Sequence, residues 1–439
     1  MDFSSSLLSL GSGVLPESFD GLKSELPLDW IRQCLSAHGI ATLRRRKLPA
    51  ENVVWMIVGL ALFRNRRIPE VVQRLDLILP DAEGNKRSLS EGAITPARDR
   101  VGAEPLRGLF KLTCDRWGQD SAKRHAWRGL KVLGIDATTL RVPDTRENRD
   151  EFGQLRGSSY PLVRMAALMV LRSRTLLDCA ISGCRTGEAT LAAEMIPTIP
   201  NDSVTILDRY FHCYWIWQAI RSDEKNRHWI VRARDDVRNW KTVQRLGPND
   251  DLVEIAPSTY ARWKHPEVSE TIRARAIRYR RKGFKPRTIL TSLLDPLAFP
   301  AKELSALYHE RWELEIGYNE IKTTMLEQRE SIRSKTPERV MQELWGLVTA
   351  YNLLRREMEA AAVELGVPPI RISFLVTLNL ARDLFYWAEV ASPGKWPEMF
   401  DKFRLDMRRV ILAPRRTRSY RRHVKRPVDK YPANVGHLA

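Results

Sequence analysis

Two aspartates in this chain stand directly behind short apolar segments. Asp136 follows the run KVLGI, and Asp208 follows the run VTIL. A carboxylate that closes a buried strand is costly to desolvate unless it meets a cation. Mg²⁺ and Mn²⁺ prefer oxygen ligands, and two such ions can bind both the attacking and the leaving oxygen of a phosphodiester. If their strands are neighbours, the two acids indicate metal-dependent phosphoryl transfer; taken singly, either acid starts a loop or caps a helix equally well.

Asp144 is a second acid near the first strand. It lies in the segment VPDT, directly after a proline. We prefer Asp136 as the candidate ligand because it ends the apolar run, whereas a residue after proline at this point is typical of a loop.

Four polar residues later in the chain recur at helical spacing. Tyr308, Arg311, Glu315 and Lys322 lie at offsets of 0, 3, 7 and 14. At about 100° per residue they fall within an arc of roughly 60° on one helix, with Trp312 beside them. A hydrated helix face with an Arg311–Glu315 ion pair explains the charges as well as a binding site does. The tyrosine and the tryptophan favour a site, since neither is typical of a fully hydrated face.

The surrounding pattern predicts the elements that must position these residues. From residue 131 onward, apolar runs alternate with segments of helical spacing, which is typical of a mixed α/β sheet. The predicted strands cover residues 131–136, 140–142, 162–171, 175–181, 204–208 and 229–232, and the predicted helices cover residues 187–195, 211–220, 304–328 and 337–365. Asp136 and Asp208 then lie at strand ends and Glu315 lies on a long helix.

The remaining segments predict an insertion and two flanking regions. Residues 235–287 are rich in Arg and Lys and indicate a β-rich basic insertion, closed by a strand at 288–294. Helical spacing before residue 125 includes a turn at 102–105, which fits a helix-turn-helix as well as any small helical bundle. We therefore predict a helical N-terminal domain (1–125), which binds DNA if it is a helix-turn-helix, a domain that carries the candidate catalytic acids (126–360) and a helical C-terminal region with a basic tail (361–439).

The composition indicates a nucleic-acid partner. The net charge of the chain is +19 and its pI is about 9.9; such an excess of positive charge is usually neutralised by nucleic acid or by an acidic membrane surface. The membrane is disfavoured, because the longest clean apolar run, 53–63, is too short to span one. The N-terminus has no basic start or cleavage site typical of a signal peptide. The five cysteines form no CxxC pair, which predicts free thiols in a reducing cytoplasm.

The motif Y-x2-R-x3-E-x6-K, formed by Tyr308, Arg311, Glu315 and Lys322, resembles the signature of the insertion-sequence-four family of DDE transposases. The segment GIDATT resembles the first aspartate strand of that family. The segment LDRYF resembles its second aspartate strand, and the basic run near residue 420 resembles its C-terminal tail. The resemblance extends over nearly the whole chain, including the N-terminal helices.

The resemblance implies a fold and a reaction. The fold is α/β, with a ribonuclease H-like catalytic core and a β-rich insertion, flanked by helical N-terminal and C-terminal domains. Asp136, Asp208 and Glu315 are then the catalytic carboxylates that hold Mg²⁺ or Mn²⁺. The reaction is cleavage at a transposon end, followed by attack of the freed 3′-OH on the opposite strand or on target DNA.

The resemblance also implies contacts with DNA and a partner. Tyr308, Arg311 and Lys322 engage phosphates near the transposon end, and we add Arg209 and Arg232 to this set. Trp312, or else Trp263 in the insertion, stacks on a flipped base or simply packs in the protein. The expected partners are the terminal inverted repeats, target DNA and a second copy of the chain on that DNA.

Three other functions fit parts of the sequence. One is a non-catalytic, sequence-specific DNA-binding protein derived from a transposase. Another is a ribonuclease H-like nuclease without strand transfer. The third is a basic structural protein that binds DNA by charge alone. Retention of all three acids argues against the first.

Overall fold

The computed structural model describes residues 26–40, 47–79, 89, 91–234, 240–281, 285–327, 331–388 and 395–414. The predicted basic tail after residue 414 lies outside this range. Across the described ranges, no helix is both long enough and apolar enough to cross a bilayer.

In the described chain, nine strands form one sheet with the order β3-β2-β1-β4-β5-β9-β8-β7-β6. The strands are β1 (Lys131–Arg141), β2 (Leu162–Val170), β3 (Leu176–Gly183), β4 (Ser203–Leu207), β5 (Arg227–Arg232), β6 (Trp240–Gly247), β7 (Asp250–Ile255), β8 (Ile272–Tyr279) and β9 (Arg287–Thr291). β2 is antiparallel to β1 and β3, whereas β4 and β5 run parallel to β1. This half of the sheet has the predicted ribonuclease H-like arrangement.

The other half of the sheet is the β-rich insertion. β6, β7 and β8 form an antiparallel meander, and β9 returns the chain by pairing with both β8 and β5. A short helix, absent from the sequence prediction, separates β7 from β8. The insertion therefore extends the catalytic sheet instead of forming a separate body.

Helices cover both faces of the core strands. They are α1 (Leu28–Ala37), α2 (Ala50–Leu62), α3 (Ile68–Arg74), α4 (Glu91–Val101), α5 (Glu104–Thr113), α6 (Gln119–Arg124), α7 (Arg146–Phe152), α8 (Glu188–Met195), α9 (Tyr214–Ile220), α10 (Thr259–Lys264), α11 (Ala301–Tyr308), α12 (Trp312–Asn319), α13 (Pro337–Leu365), α14 (Phe374–Ala388) and α15 (Trp396–Arg408). α8 and α9 pack on one face of the sheet. α12 and α13 pack on the other face, in the same hydrophobic core as the N-terminal helices.

The N-terminal helices pack directly on α13. From Val53 onward α2 is apolar around its whole circumference, and the helix is buried from Glu51 to Leu62, as expected of a helix enclosed by other elements. α4 and α5 are joined at Gly102, whose φ of 68° fits the left-handed region. α5 packs its apolar face inward, with the Phe110 ring 5.6 Å from that of Trp345 on α13.

Two sequence predictions about these elements were wrong. Residues 140–142 do not form a separate strand, because β2 pairs with β1 without interruption from Leu133 to Arg141. Residues 304–328 are not one regular helix: α11 passes through a 3-10 turn (His309–Arg311) into α12, which passes into a π-helical segment (Glu320–Met325). Tertiary contacts override local helical propensity in this segment.

Candidate active site

The two aspartates lie side by side at one edge of the core. Ile135 of β1 pairs with Leu207, the last residue of β4, so Asp136 and Asp208 are next in the parallel register. Side chains alternate along a strand, and Asp136 therefore shares the face of Val132 and Gly134, which is the face that α12 covers. Asp136 does not end its strand, contrary to the sequence prediction; it lies where β1 continues and its neighbour β4 stops.

Each aspartate also accepts a local hydrogen bond. Asp208 caps a 3-10 turn (Arg209–Phe211), accepting from the Tyr210 N–H at 2.6 Å. Asp136 accepts from the Ala137 N–H at 2.8 Å. Burial raises the pKa of Asp136 to about 7, and the nearby Asp208 carboxylate adds to this effect while the Ala137 N–H opposes it. The Asp208 charge disfavours ionisation of Asp136, and a cation at this edge would offset that repulsion.

Arg311 connects the third acid to this pair. Its Nη2 donates to Glu315 Oε1 at 2.8 Å, and its Nη1 lies 3.9 Å from Asp136 Oδ2. The same helix is fixed to β1 by Tyr318, whose hydroxyl donates to the Asp136 carbonyl at 2.6 Å. The structure thus brings Asp136, Asp208 and Glu315 to one edge, with a guanidinium between the first and the last.

Within the described ranges, no three His, Cys, Asp or Glu side chains are arranged so that they could hold a metal ion directly. The Glu315 carboxylate faces Arg311, and its side chain is 35% exposed, which leaves it room to rotate. The three acids supply oxygen ligands only, which suit Mg²⁺ or Mn²⁺. The chemistry of these donors therefore suits a divalent ion, and in the present arrangement the Arg311 guanidinium lies between Asp136 and Glu315.

Tyr308 and Arg232, two of the residues predicted to bind DNA, lie next to this edge. Tyr308 is buried, and burial raises its pKa to about 12. Among smaller effects on this pKa, Arg311 and Arg232 lower it while Asp208 raises it, which places all three charges around the phenol. Arg232 is the last residue of β5. Tyr279, the last residue of β8, also lies near Tyr308.

Three further predicted DNA-binding residues are less closely tied to the acids. Arg209 is exposed on the turn after Asp208. Trp312 is 38% exposed, and its ring lies 5.7 Å from the Arg311 guanidinium. Lys322 is half-buried in the π-helical segment, so the regular spacing that predicted its direction is not kept there.

The structure places the alternative residues outside the group of acids. Asp144 forms an ion pair with Arg149 on the segment after β1. Trp263 is 76% exposed on α10 in the insertion.

Glu188 is a fourth acid, which sequence reasoning did not select. It lies in the first turn of α8, with its carboxylate 4.0 Å from Arg164 Nε. Burial raises its pKa, and Asp208 adds to the effect. Its proximity to Asp208 and Asp136 arises only on folding, since nothing in its sequence neighbourhood indicates a ligand.

Comparisons with known proteins identify the family of this chain. Residues 16–111 match the family model described as insertion element 4 transposase N-terminal, and residues 127–353 match the model described as transposase DDE domain. The chain is 36% identical to transposase InsG for insertion sequence element IS4 of Escherichia coli (strain K12), over 92% of this chain and 91% of that protein. It is also 36% identical to the putative transposase InsZ of the same strain, over 52% of this chain and 74% of that protein.

A solved structure, the piggyBac transposase synaptic complex with hairpin DNA, covers 90% of this chain and 83% of its own, at 12% identity and a TM-score of 0.42. That likeness is too distant to assign residues. The two family models and the identity to InsG are enough to assign the family without that structure. Enzymes of this kind cleave DNA at transposon ends, join it to target DNA and generally use divalent metal ions. The chain belongs to the insertion-sequence-four family of DDE transposases.

Proposed function

We propose that Asp136, Asp208 and Glu315 are the catalytic carboxylates of this transposase and that they hold Mg²⁺ or Mn²⁺. The observation that carries the proposal is the adjacency of Asp136 and Asp208 in the parallel register, together with Arg311, which spans Asp136 and Glu315. Bound at these oxygens, divalent ions supply Lewis-acid activation of the attacking water or 3′-OH and of the leaving oxygen.

The remaining residues of this edge bind and orient DNA. Arg311 and Arg232 contribute positive charge beside the acids, where a phosphodiester must lie for in-line attack. Tyr308 stays protonated over the physiological range because burial raises its pKa to about 12, so its hydroxyl can donate to a phosphate oxygen. Arg209 and Lys322 extend the contact along the backbone.

Trp312 offers a partly exposed ring on the same helix as Glu315. We propose that it stacks on a base at the transposon end, which would hold the terminal nucleotide beside the acids. We further propose that the chain acts as a homodimer on DNA in the bacterial cytoplasm, since joining two transposon ends requires two active sites.

The proposal is tested by cleavage of DNA that carries the terminal inverted repeats flanking the gene. Asp136→Asn, Asp208→Asn and Glu315→Gln keep side-chain volume but remove charge, so each should lower the Mg²⁺-dependent cleavage rate by about a thousandfold, equivalent to roughly 4 kcal/mol of activation free energy. Asp144→Asn is the matched control, because Asp144 is ion-paired with Arg149 away from the three acids.

The control should cleave at the wild-type rate. Loss of cleavage in Asp144→Asn with retention in Asp136→Asn would overturn the assignment of the first ligand. A pre-cut end that the protein binds but never joins to target DNA would show that this chain does not complete strand transfer.

A further inference from the structure

A buried ionic cluster lies against the helix that carries Glu315. Arg174, on the tight turn between β2 and β3, donates from Nε to Glu313 Oε2 at 2.7 Å. Its Nη1 donates to Glu320 Oε1 at 2.6 Å. The Arg174 side chain is only 2% exposed, so these two carboxylates supply the countercharge that its burial requires.

The second oxygen of Glu320 is bound from α13. Tyr351 donates its hydroxyl to Glu320 Oε2 at 3.0 Å, and Arg355 forms an ion pair with the same oxygen. Arg355 also donates from Nε to the Tyr351 oxygen at 3.1 Å. Two arginines thus balance two glutamates, and the cluster links the β2–β3 turn, the Glu315 helix and α13.

The spacing of the two glutamates makes the cluster a constraint on helix position. Glu313 and Glu320 are seven residues apart, which is about two helical turns on one stripe. One guanidinium that binds both of them fixes the rotation of the helix and its shift along its axis, because a slip in either direction breaks one contact. Glu315, two residues from Glu313, points about 200° away from it, toward the candidate active site.

A merely stabilising role would not require this arrangement. Buried ion pairs often contribute little net stability compared with apolar residues of similar volume, whereas a bidentate arginine fixes geometry. The cluster is also located where α12 changes into the π-helical segment, which begins at Glu320. π-helical turns inside helices are frequent near functional sites.

We propose that Arg174, Glu313 and Glu320, with Tyr351 and Arg355, are positioning residues that hold the Glu315 carboxylate beside Asp136 for catalysis. The inference rests on the proposed catalytic role of Glu315. It adds a set of buried residues that act only through the placement of the helix.

The same turn provides a matched control. Arg172 lies two residues from Arg174 and binds Glu310 with both Nε and Nη2 at 2.9 Å. Glu310 belongs to the 3-10 turn that precedes α12. This pair is about 30% exposed on each side, so solvent screens it and its geometry is less constrained.

The test compares Arg174→Lys with Arg172→Lys in the full-length chain. Lysine keeps the positive charge but cannot hold two carboxylates in a fixed fork. We measure single-turnover cleavage of pre-bound transposon-end DNA, the affinity for that DNA, and hydrogen exchange of peptides covering 312–325. Arg174→Lys should slow cleavage by about tenfold or more, leave DNA affinity within about twofold, and raise exchange in 312–325 but not in β1. Arg172→Lys should match the wild type in all three.

Equal cleavage and equal exchange in the two variants would overturn the proposal, as would a rise in exchange spread evenly over the sheet. If Arg174→Lys does not fold, Tyr351→Phe decides, because it removes one hydrogen bond to Glu320 with little loss of volume; it should slow cleavage, and wild-type behaviour would contradict the proposal. A Glu315→Gln variant that still cleaves refutes the proposed function, whereas an inactive Glu315→Gln beside a fully active Arg174→Lys refutes the positioning role alone.

Discussion

Gly134 allows the Glu315 helix to approach the sheet beside Asp136. It lies on β1, two residues before Asp136, and a Cβ atom added there would lie 2.7 Å from Leu314 Cδ1 and 2.8 Å from Leu171 Cδ2. Both leucines are fully buried, so neither can turn into solvent. Gly134→Ala should therefore push α12 away from β1.

The size of the effect follows from these distances. Carbon atoms pack at about 3.5–4.0 Å, so the two contacts are short by roughly 1 Å and the added methyl should cost about 1–3 kcal/mol of unfolding free energy. A displacement of about 1 Å between catalytic groups can lower a rate by roughly a hundredfold. Since Glu315 lies one residue after Leu314, we expect the folded Gly134→Ala protein to cleave roughly a hundredfold more slowly than the wild type. This loss is separate from any activity lost because part of the protein unfolds.

The assay pairs urea unfolding with single-turnover cleavage of pre-bound DNA. Gly247→Ala is the control, because a Cβ there meets no atom within 4 Å and the backbone is not left-handed; it should change the unfolding free energy by less than about 0.5 kcal/mol. Gly134→Ala with wild-type stability and a wild-type cleavage rate would refute the close-approach argument.

Three further predictions concern stability and binding. Tyr318→Phe removes the hydrogen bond to the Asp136 carbonyl and should lower the urea unfolding free energy by about 1 kcal/mol. Although burial opposes it, Arg64 and Arg333 lower the pKa of Glu343 below its ordinary value. The stability that this carboxylate contributes is therefore fully present above the unfolded pKa of 4.5 and is lost as the pH falls through the lower folded pKa; Glu343→Gln should flatten the stability–pH profile there. Because the net charge is +19, the affinity for DNA measured by fluorescence anisotropy should fall linearly with salt on logarithmic axes.

Each of these predictions has a contradicting outcome. A Tyr318→Phe protein as stable as the wild type would show that the carbonyl is satisfied by solvent instead. A stability–pH profile in acid that is identical in Glu343→Gln would assign the acid sensitivity to other groups. An affinity that does not depend on salt would exclude backbone contacts as the main source of binding.

The sequence predicted the core strands because their signals are local, and the same apolar runs pointed to Asp136 and Asp208 as candidate ligands. A buried strand that ends in an acid is visible as an apolar run, and the strands around Asp136 and Asp208 were predicted to within a few residues, except that β1 continues past Asp136. The adjacency of the two acids could not be predicted from these runs. It depends on the pairing of β1 with β4, which is a contact between segments distant in the chain.

The helix that carries Glu315 shows where periodicity fails. Uniform helical spacing predicted a single straight stripe that includes Lys322, but a 3-10 turn and a π-helical segment interrupt it. Glu320, where the π-helical segment begins, is held by buried ion pairs to Arg174 and Arg355, and these partners come from other elements. Glu188 was not selected from the sequence because its proximity to Asp208 and Asp136 also depends on contacts between distant segments of the chain.

Iron-mediated backbone cleavage tests most directly whether three distant carboxylates share divalent ions. Fe²⁺ takes the oxygen ligands that Mg²⁺ takes, and with ascorbate and peroxide it cuts the chain near its ligands. We predict cuts near Asp136, Asp208 and Glu315 in the DNA-bound protein, all suppressed by excess Mg²⁺. Cuts near the two aspartates without one near Glu315, or cuts centred on Asp144, would contradict the proposed active site.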